Sequence, residues 1–138
     1  MHYILPPLVA WAIAQVTKLT LASIRERRLD LRVLAQQGGM PSSHAAIVSG
    51  LTAAVGRIDG LRSATFAIAL ILSFVVMYDA QGVRRAAGRQ AAVLNRLVED
   101  VFAMRGIQEY RVRELLGHTP VEVLIGAALG VAVGLLPF

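Results

Sequence analysis

Residues 61–78 read LRSATFAIALILSFVVMY, and this stretch decides the fold. Past Arg62 it carries no charged side chain, and as an α-helix its 18 residues would extend about 27 Å, close to the hydrocarbon thickness of a bilayer. The rest of the chain supports the membrane reading. Of 138 residues, 56% are hydrophobic and 17% charged, whereas a soluble domain carries about a quarter charged residues. The mean hydropathy is +0.60. The expected fold is an all-α, polytopic membrane helical bundle, formed by residues 1–138 as one integral membrane domain.

Three more apolar runs lie on either side of this stretch. Residues 4–24 would span roughly 30 Å as a helix. No basic segment precedes them and no small-residue cleavage site follows, so they are expected to be a retained span rather than a secretory signal. Residues 43–56 are short and rich in Ala, Ser and Gly, which suits close packing against neighbours. Residues 120–138 carry Gly126, Gly130 and Gly134 at a spacing that puts all three on one helix face. Between the third and fourth runs, Leu94, Leu97, Val98, Val101 and Phe102 recur at helical spacing opposite Arg89, Arg96, Glu99, Asp100 and Arg105. The pattern therefore predicts about four spans plus one amphipathic interfacial helix over residues 83–105.

The basic residues orient this bundle. Arg25, Arg27, Arg28 and Arg32 follow the first span, and Arg84, Arg85, Arg89, Arg96, Arg105, Arg111 and Arg113 lie between the third and fourth. The opposite side holds Arg57 and Arg62. The positive-inside rule makes the arginine-rich segments cytoplasmic and both termini external, in a multi-pass protein of the cell membrane. A pI near 10.7 would suggest nucleic acid in a soluble protein. Here the arginines alternate with spans and few aromatics accompany them, which argues against nucleic-acid binding. With no cysteine, disulfides, cysteine-ligated metal sites and thiol nucleophiles are excluded.

This topology brings four polar constellations to the cytoplasmic face. Lys18 and Arg25 are seven residues apart, so both project from one helix face and could hold an anion. The alternative is a snorkelling lysine and an arginine that merely sets topology; Lys18, inside the apolar run, favours function. In Gly38-Gly39-Met40-Pro41-Ser42-Ser43-His44, glycines permit an unusual backbone, Pro41 stiffens the turn, and Ser42 or Ser43 can cap the next helix. That helix start would cradle a phosphate and put His44 in its first turn. Read alone, the same residues also describe an ordinary capped helix.

The last two constellations surround the third and fourth spans. His118 precedes Thr119 as N-cap, Pro120 as N1 and Glu122 as N3, a capping box. A helix N-terminus disfavours the protonated ring and so suits a nucleophile. Glu122 either closes the capping box or orients His118. Asp79, near the end of the most apolar span, either forms a structural ion pair with Arg84 or Arg85 or shares a phosphate site with them.

These blocks resemble the divergent PAP2 family, a small membrane branch related to type 2 phosphatidic acid phosphatases and vanadium haloperoxidases. The resemblance rests on Gly38 to His44, Tyr78-Asp79-Ala80-Gln81-Gly82-Val83-Arg84-Arg85-Ala86-Ala87-Gly88, Leu94-Asn95, and Glu114-Leu115-Leu116-Gly117-His118-Thr119-Pro120-Val121-Glu122-Val123. It implies a PAP2-like core and a metal-independent phosphatase, with no cofactor, that works through a phosphohistidine on a lipid phosphate or diphosphate at the cytoplasmic face. On it, His118 is the nucleophile, His44 protonates the leaving group and Glu122 orients His118. Lys18, Arg25, Ser42, Ser43, Asp79, Arg84 and Arg85 form the substrate-binding set.

The match to the superfamily pattern is uneven. Lys18 and Arg25 keep the first spacing, with Glu26 where proline is expected, and Ser43 replaces the glycine of the second motif. Glu122 replaces the third motif's aspartate. The Ser-Arg pair before His118 is absent, with Val112 at the arginine position and Arg111 beside it, so Arg84 or Arg85 is the candidate source of that guanidinium. The non-catalytic alternative is a PAP2-like membrane protein that binds a phosphorylated lipid or a partner protein. Expected partners are membrane lipid and a phosphorylated lipid substrate. A homo-oligomer could supply what a chain with fewer spans than the parent phosphatases lacks.

Overall fold

The computed structural model describes residues 1–27, 39–81, 83–103 and 118–138, whose regular structure is entirely helical: α1 (Leu5–Glu26), α2 (Ser43–Asp59), α3 (Ala64–Gln81), α4 (Val83–Ala103) and α5 (Pro120–Gly134). Arg28, Arg32, Gly38, Arg105, Arg111, Val112, Arg113 and the segment 114–117 lie outside the described residues.

Local chemistry sets the helix bounds. α1 begins with prolines in its first turn, where their missing N–H groups cost nothing, and ends at Arg27 in the left-handed region at φ 51°. Ser63 accepts a hydrogen bond from the Phe66 N–H, so α3 starts at Ala64 and residues 61–63 of the apolar run form a turn. At the far end, the Leu135 N–H donates to Val131 O and the Leu136 N–H to Val133 O. These bonds close α5 at Gly134, before the apolar run itself ends.

α2 is the central helix, in contact with α1, α3 and α5. Its contact with α5 is backbone to backbone. A Cβ on Gly126 would lie 2.3 Å from Ser42 O, one on Gly130 2.0 Å from Ser49 Oγ, and one on Gly134 2.5 Å from Gly50 O. The glycine seam expected from sequence thus serves this packing. Ala10, Ala14, Ala46 and Val133 form the apolar centre, while Ile68, Phe74, Val75 and Leu124 point outward. Small residues inside and large apolar ones outside reverse the pattern of a water-soluble core and fit a surface solvated by lipid.

Two helices, Leu5–Arg25 and Ala64–Gln81, are long and apolar enough to cross a membrane; Pro120–Gly134 is apolar but shorter. α4 packs against α3 and buries Gly88, Ala91 and Asn95. Of the stripe read from sequence, Leu94 and Leu97 are exposed, so α4 meets α3 through small residues and presents these leucines outward.

The helices alternate in direction. The Tyr3 hydroxyl and the Thr65 hydroxyl both donate to the Asp59 carboxylate, and His2 Nδ1 lies 2.5 Å from Phe138 O. The start of α1, the end of α2, the start of α3 and the end of the chain therefore share one end of the bundle. At the opposite end the Ser42 N–H donates to Glu122 O and the His118 N–H to Ala80 O.

Candidate functional site

The second end is assembled from four chain segments. Gly39 has φ +87°, a conformation that favours glycine, and a Cβ there would sit 3.5 Å from Lys18 Cε. The lysine stem thus runs along a residue with no side chain of its own, and Lys18 is only 4% exposed. A cis peptide joins Met40 to Pro41. Ser42 follows, fully buried; its hydroxyl accepts the Ala45 N–H at 3.3 Å and caps α2. Ser43 is buried as the first residue of α2, and His44 is half-buried in the same turn.

α5 begins beside α2. The Ser42 N–H donates to the Glu122 carbonyl at 3.0 Å, which holds the two helix N-termini side by side. His118 is 2% exposed, and its backbone N–H reaches the Ala80 carbonyl at the end of α3. The two readings of Glu122 prove compatible. Its Oε2 accepts the Thr119 N–H at 3.1 Å, closing the capping box with Thr119 Oγ1, and lies 3.1 Å from His118 Nδ1. One carboxylate oxygen therefore caps α5 and orients the imidazole.

The rings of His44 and His118 meet edge to face, with centroids 5.9 Å apart and planes at 65°. Lys18 and Glu122 are close enough to attract one another. This cluster thus brings together, among the described residues, the imidazoles of His44 and His118, the Lys18 cation, the Glu122 carboxylate and two helix N-termini, whose partial positive charge favours an anion. Among the described residues, no three His, Asp or Glu side chains gather to hold a metal ion.

Of the residues singled out from sequence, the structure brings together Lys18, Ser42, Ser43, His44, His118 and Glu122. Arg25 is exposed in the last turn of α1, two turns beyond Lys18. Asp79 is exposed and lies beside Phe74, Val75 and Tyr78 on the outer surface of α3. Its neighbour Ala80 meets His118, but one helical step of about 100° turns the Asp79 side chain away. Arg84 and Arg85 fall in the first turn of α4, and their side chains lie outside the described residues. One participant escaped the sequence reading: the Ala80 carbonyl, which accepts the His118 N–H and has no sequence signature.

Comparison with known proteins identifies the family. Residues 1–133 match the Divergent PAP2 family. The uncharacterized membrane protein YuiD of Bacillus subtilis (strain 168) is 40% identical over 139 residues, covering 93% of this chain and 88% of the relative. No solved structure matches the chain. From its match over nearly the whole length, its lipid-suited exterior and this relative, the chain is a membrane protein of the divergent PAP2 family.

Proposed function

We propose that the protein is an integral membrane phosphatase acting on a lipid phosphate or diphosphate through a phosphohistidine. The observation that carries this reading is the edge-to-face pair of His44 and His118 at adjacent helix N-termini, with Glu122 on one nitrogen of His118. The carboxylate accepts the Nδ1 proton and leaves the Nε2 lone pair for attack. Nε2 bonds to phosphorus as the P–O bond to the lipid breaks, and the departing alkoxide takes a proton from protonated His44. Neutral His44 then takes a proton from water as that water attacks phosphorus. The P–N bond breaks, and inorganic phosphate leaves. Lys18 and the N-termini of α2 and α5 stabilise the charge on the phosphoryl oxygens throughout. An arginine at 84 or 85 supplies the guanidinium absent at Val112, and Arg25, two turns beyond Lys18, attracts the anion toward the site from the exposed end of α1.

In the same reading α1, α2, α3 and α5 are four spans with both termini external, and the arginine-rich segments face the cytoplasm, where the site opens. The alternation of helix direction supports it. A homo-oligomer would cover the flanks of so small a bundle.

The test is phosphate release by detergent-purified protein from a panel of lipid monophosphates and diphosphates, in chelator. Release that disappears in His118→Ala, with an acid-labile phosphoprotein trapped in the parent, is the expected result. Release unchanged in His118→Ala would overturn the mechanism. The absent Ser-Arg pair favours a second reading, a non-catalytic binder of a phosphorylated lipid; binding of a panel member without any release would establish it.

A further inference from the structure

A groove of about 570 Å³ opens between α2, α3 and α5, remote from the histidine pair at its far end. Leu70 and Met77 of α3 form one wall, Val131 of α5 the other, and Ala53 and Gly56 of α2 the floor. Three hydroxyl residues also line it, yet each turns its oxygen into the bundle. Thr52 Oγ1 donates to the Val48 carbonyl at 2.9 Å and pairs with Ser73 Oγ at 2.6 Å. Ser73 Oγ also reaches Val48 O at 2.9 Å, and Ser49 Oγ donates to Ala45 O at 2.6 Å. The surface left to an occupant is hydrocarbon, which selects an apolar guest over water.

The groove's length and its charged end identify that guest. From Phe66 to Met77 the α3 wall runs about 16 Å, close to the roughly 15 Å of one bilayer leaflet. At the end where the chain termini meet, Arg57, an exposed residue, lines the mouth, and its Nε–H donates to the Gly134 carbonyl at 3.4 Å. An acyl chain lying in the groove would bring its headgroup phosphate to this cation, whose planar fork suits phosphate oxygens.

We propose that the groove holds one acyl chain of an anionic phospholipid, with the headgroup phosphate paired to Arg57. Arg57 stands thirteen residues beyond His44, about 20 Å along α2. This lipid is therefore a resident of the leaflet opposite the histidines, distinct from a substrate bound at His118.

The full chain, reconstituted in phosphatidylcholine vesicles containing a phosphatidylglycerol with a photoreactive acyl chain, tests this directly. Labels should map to groove residues such as Ala53, Leu70 and Val131, and unlabelled phosphatidylglycerol should compete where phosphatidylcholine does not. Arg57→Gln, at an exposed position, should lower labelling about tenfold, as loss of a charge-assisted bond would. Ala127→Phe, which narrows the groove, should lower it with the helical circular dichroism unchanged. Labelling spread evenly onto Ile13 and Val16 of α1 and indifferent to Arg57→Gln would overturn the proposal. So would crosslinks between Val131 of two copies in place of lipid labelling, which would make the groove a dimer interface.

Discussion

At the end of the bundle where the chain termini meet, the Tyr3 and Thr65 hydroxyls both donate to the Asp59 carboxylate, and all three residues are exposed. At the other end Lys18, Ser42 and His118 are 4%, 0% and 2% exposed. The exposed cluster ties the start of α1 to α2 and α3, and the buried end ties α5 to α2 and α3, so tying alone does not require burial. Taking a polar side chain out of water costs about 1–3 kcal/mol even in proteins unless its bonds are replaced, and a charge costs more. The exposed end achieves the tie without that cost. What the buried end gains is an orientation for groups that an exposed cluster could not hold fixed, which is the requirement of a site that must position a phosphoryl group.

The contrast can be broken most directly by His118→Ala. If the buried end is a reaction centre, phosphate release should fall about 10³-fold or more, while Tyr3→Phe at the exposed end leaves it unchanged. Equal, modest effects of the two variants would make both ends structural. Next in size is Glu122→Gln, which separates the two tasks of one oxygen. The amide carbonyl can still accept the Thr119 N–H, so thermal stability in detergent should hardly move, whereas release should fall about 10²-fold as control of the His118 tautomer weakens. Gly130→Ala should cost about 1–3 kcal/mol of stability, because the added Cβ meets Ser49 Oγ and the Ala46 carbonyl. A lowered unfolding midpoint in detergent checks it, and Gly60→Ala, with nothing nearby but φ +87°, provides the comparison for backbone strain alone.

The smallest effect belongs to the exposed end. Its hydrogen bond to Asp59 raises the Tyr3 phenol above the ordinary tyrosine value. A raised pKa means that this bond stabilises the fold below the unfolded phenol value near 10 and is lost as pH rises through the folded one. Ultraviolet titration should show a late-ionising tyrosine component that is lost in Asp59→Asn.

Much of this arrangement was legible in the sequence. The apolar runs, the capping box at Thr119 and the glycine triplet each depend on spacing along one helix, and spacing is what a sequence displays. Residues whose roles depend on rotation and on neighbours were harder to read. Asp79 was grouped with the site because of its position near the end of α3. Yet Ala69, Ser73 and Ala80 are the buried residues of that helix, and they place Asp79 on another face. Their small size was the available signal. Lys18 was legible as a charge in an apolar run, but its shelter beside Gly39 depends on a contact between distant residues, which spacing does not display. For α4 the hydrophobic stripe marked the helix as amphipathic but did not show that Gly88, Ala91 and Asn95 are the residues buried on it, because in lipid the large apolar residues need not turn inward.

The unequal helix lengths have a further consequence. α1 extends over 22 residues, about 33 Å, whereas α5 has 15, about 22 Å, and Lys18 lies eight residues before the end of α1. In the proposed four-span arrangement the bilayer meets a hydrophobic mismatch on one flank: beside α5 it must thin by several ångströms, while beside α1 it need not. Lipid next to the histidines is then drawn toward the membrane centre, which brings headgroup phosphates down to the level of the site. The thickness of the host bilayer would thus govern access to the site independently of headgroup chemistry, with turnover expected to fall as the acyl chains of the surrounding lipid lengthen.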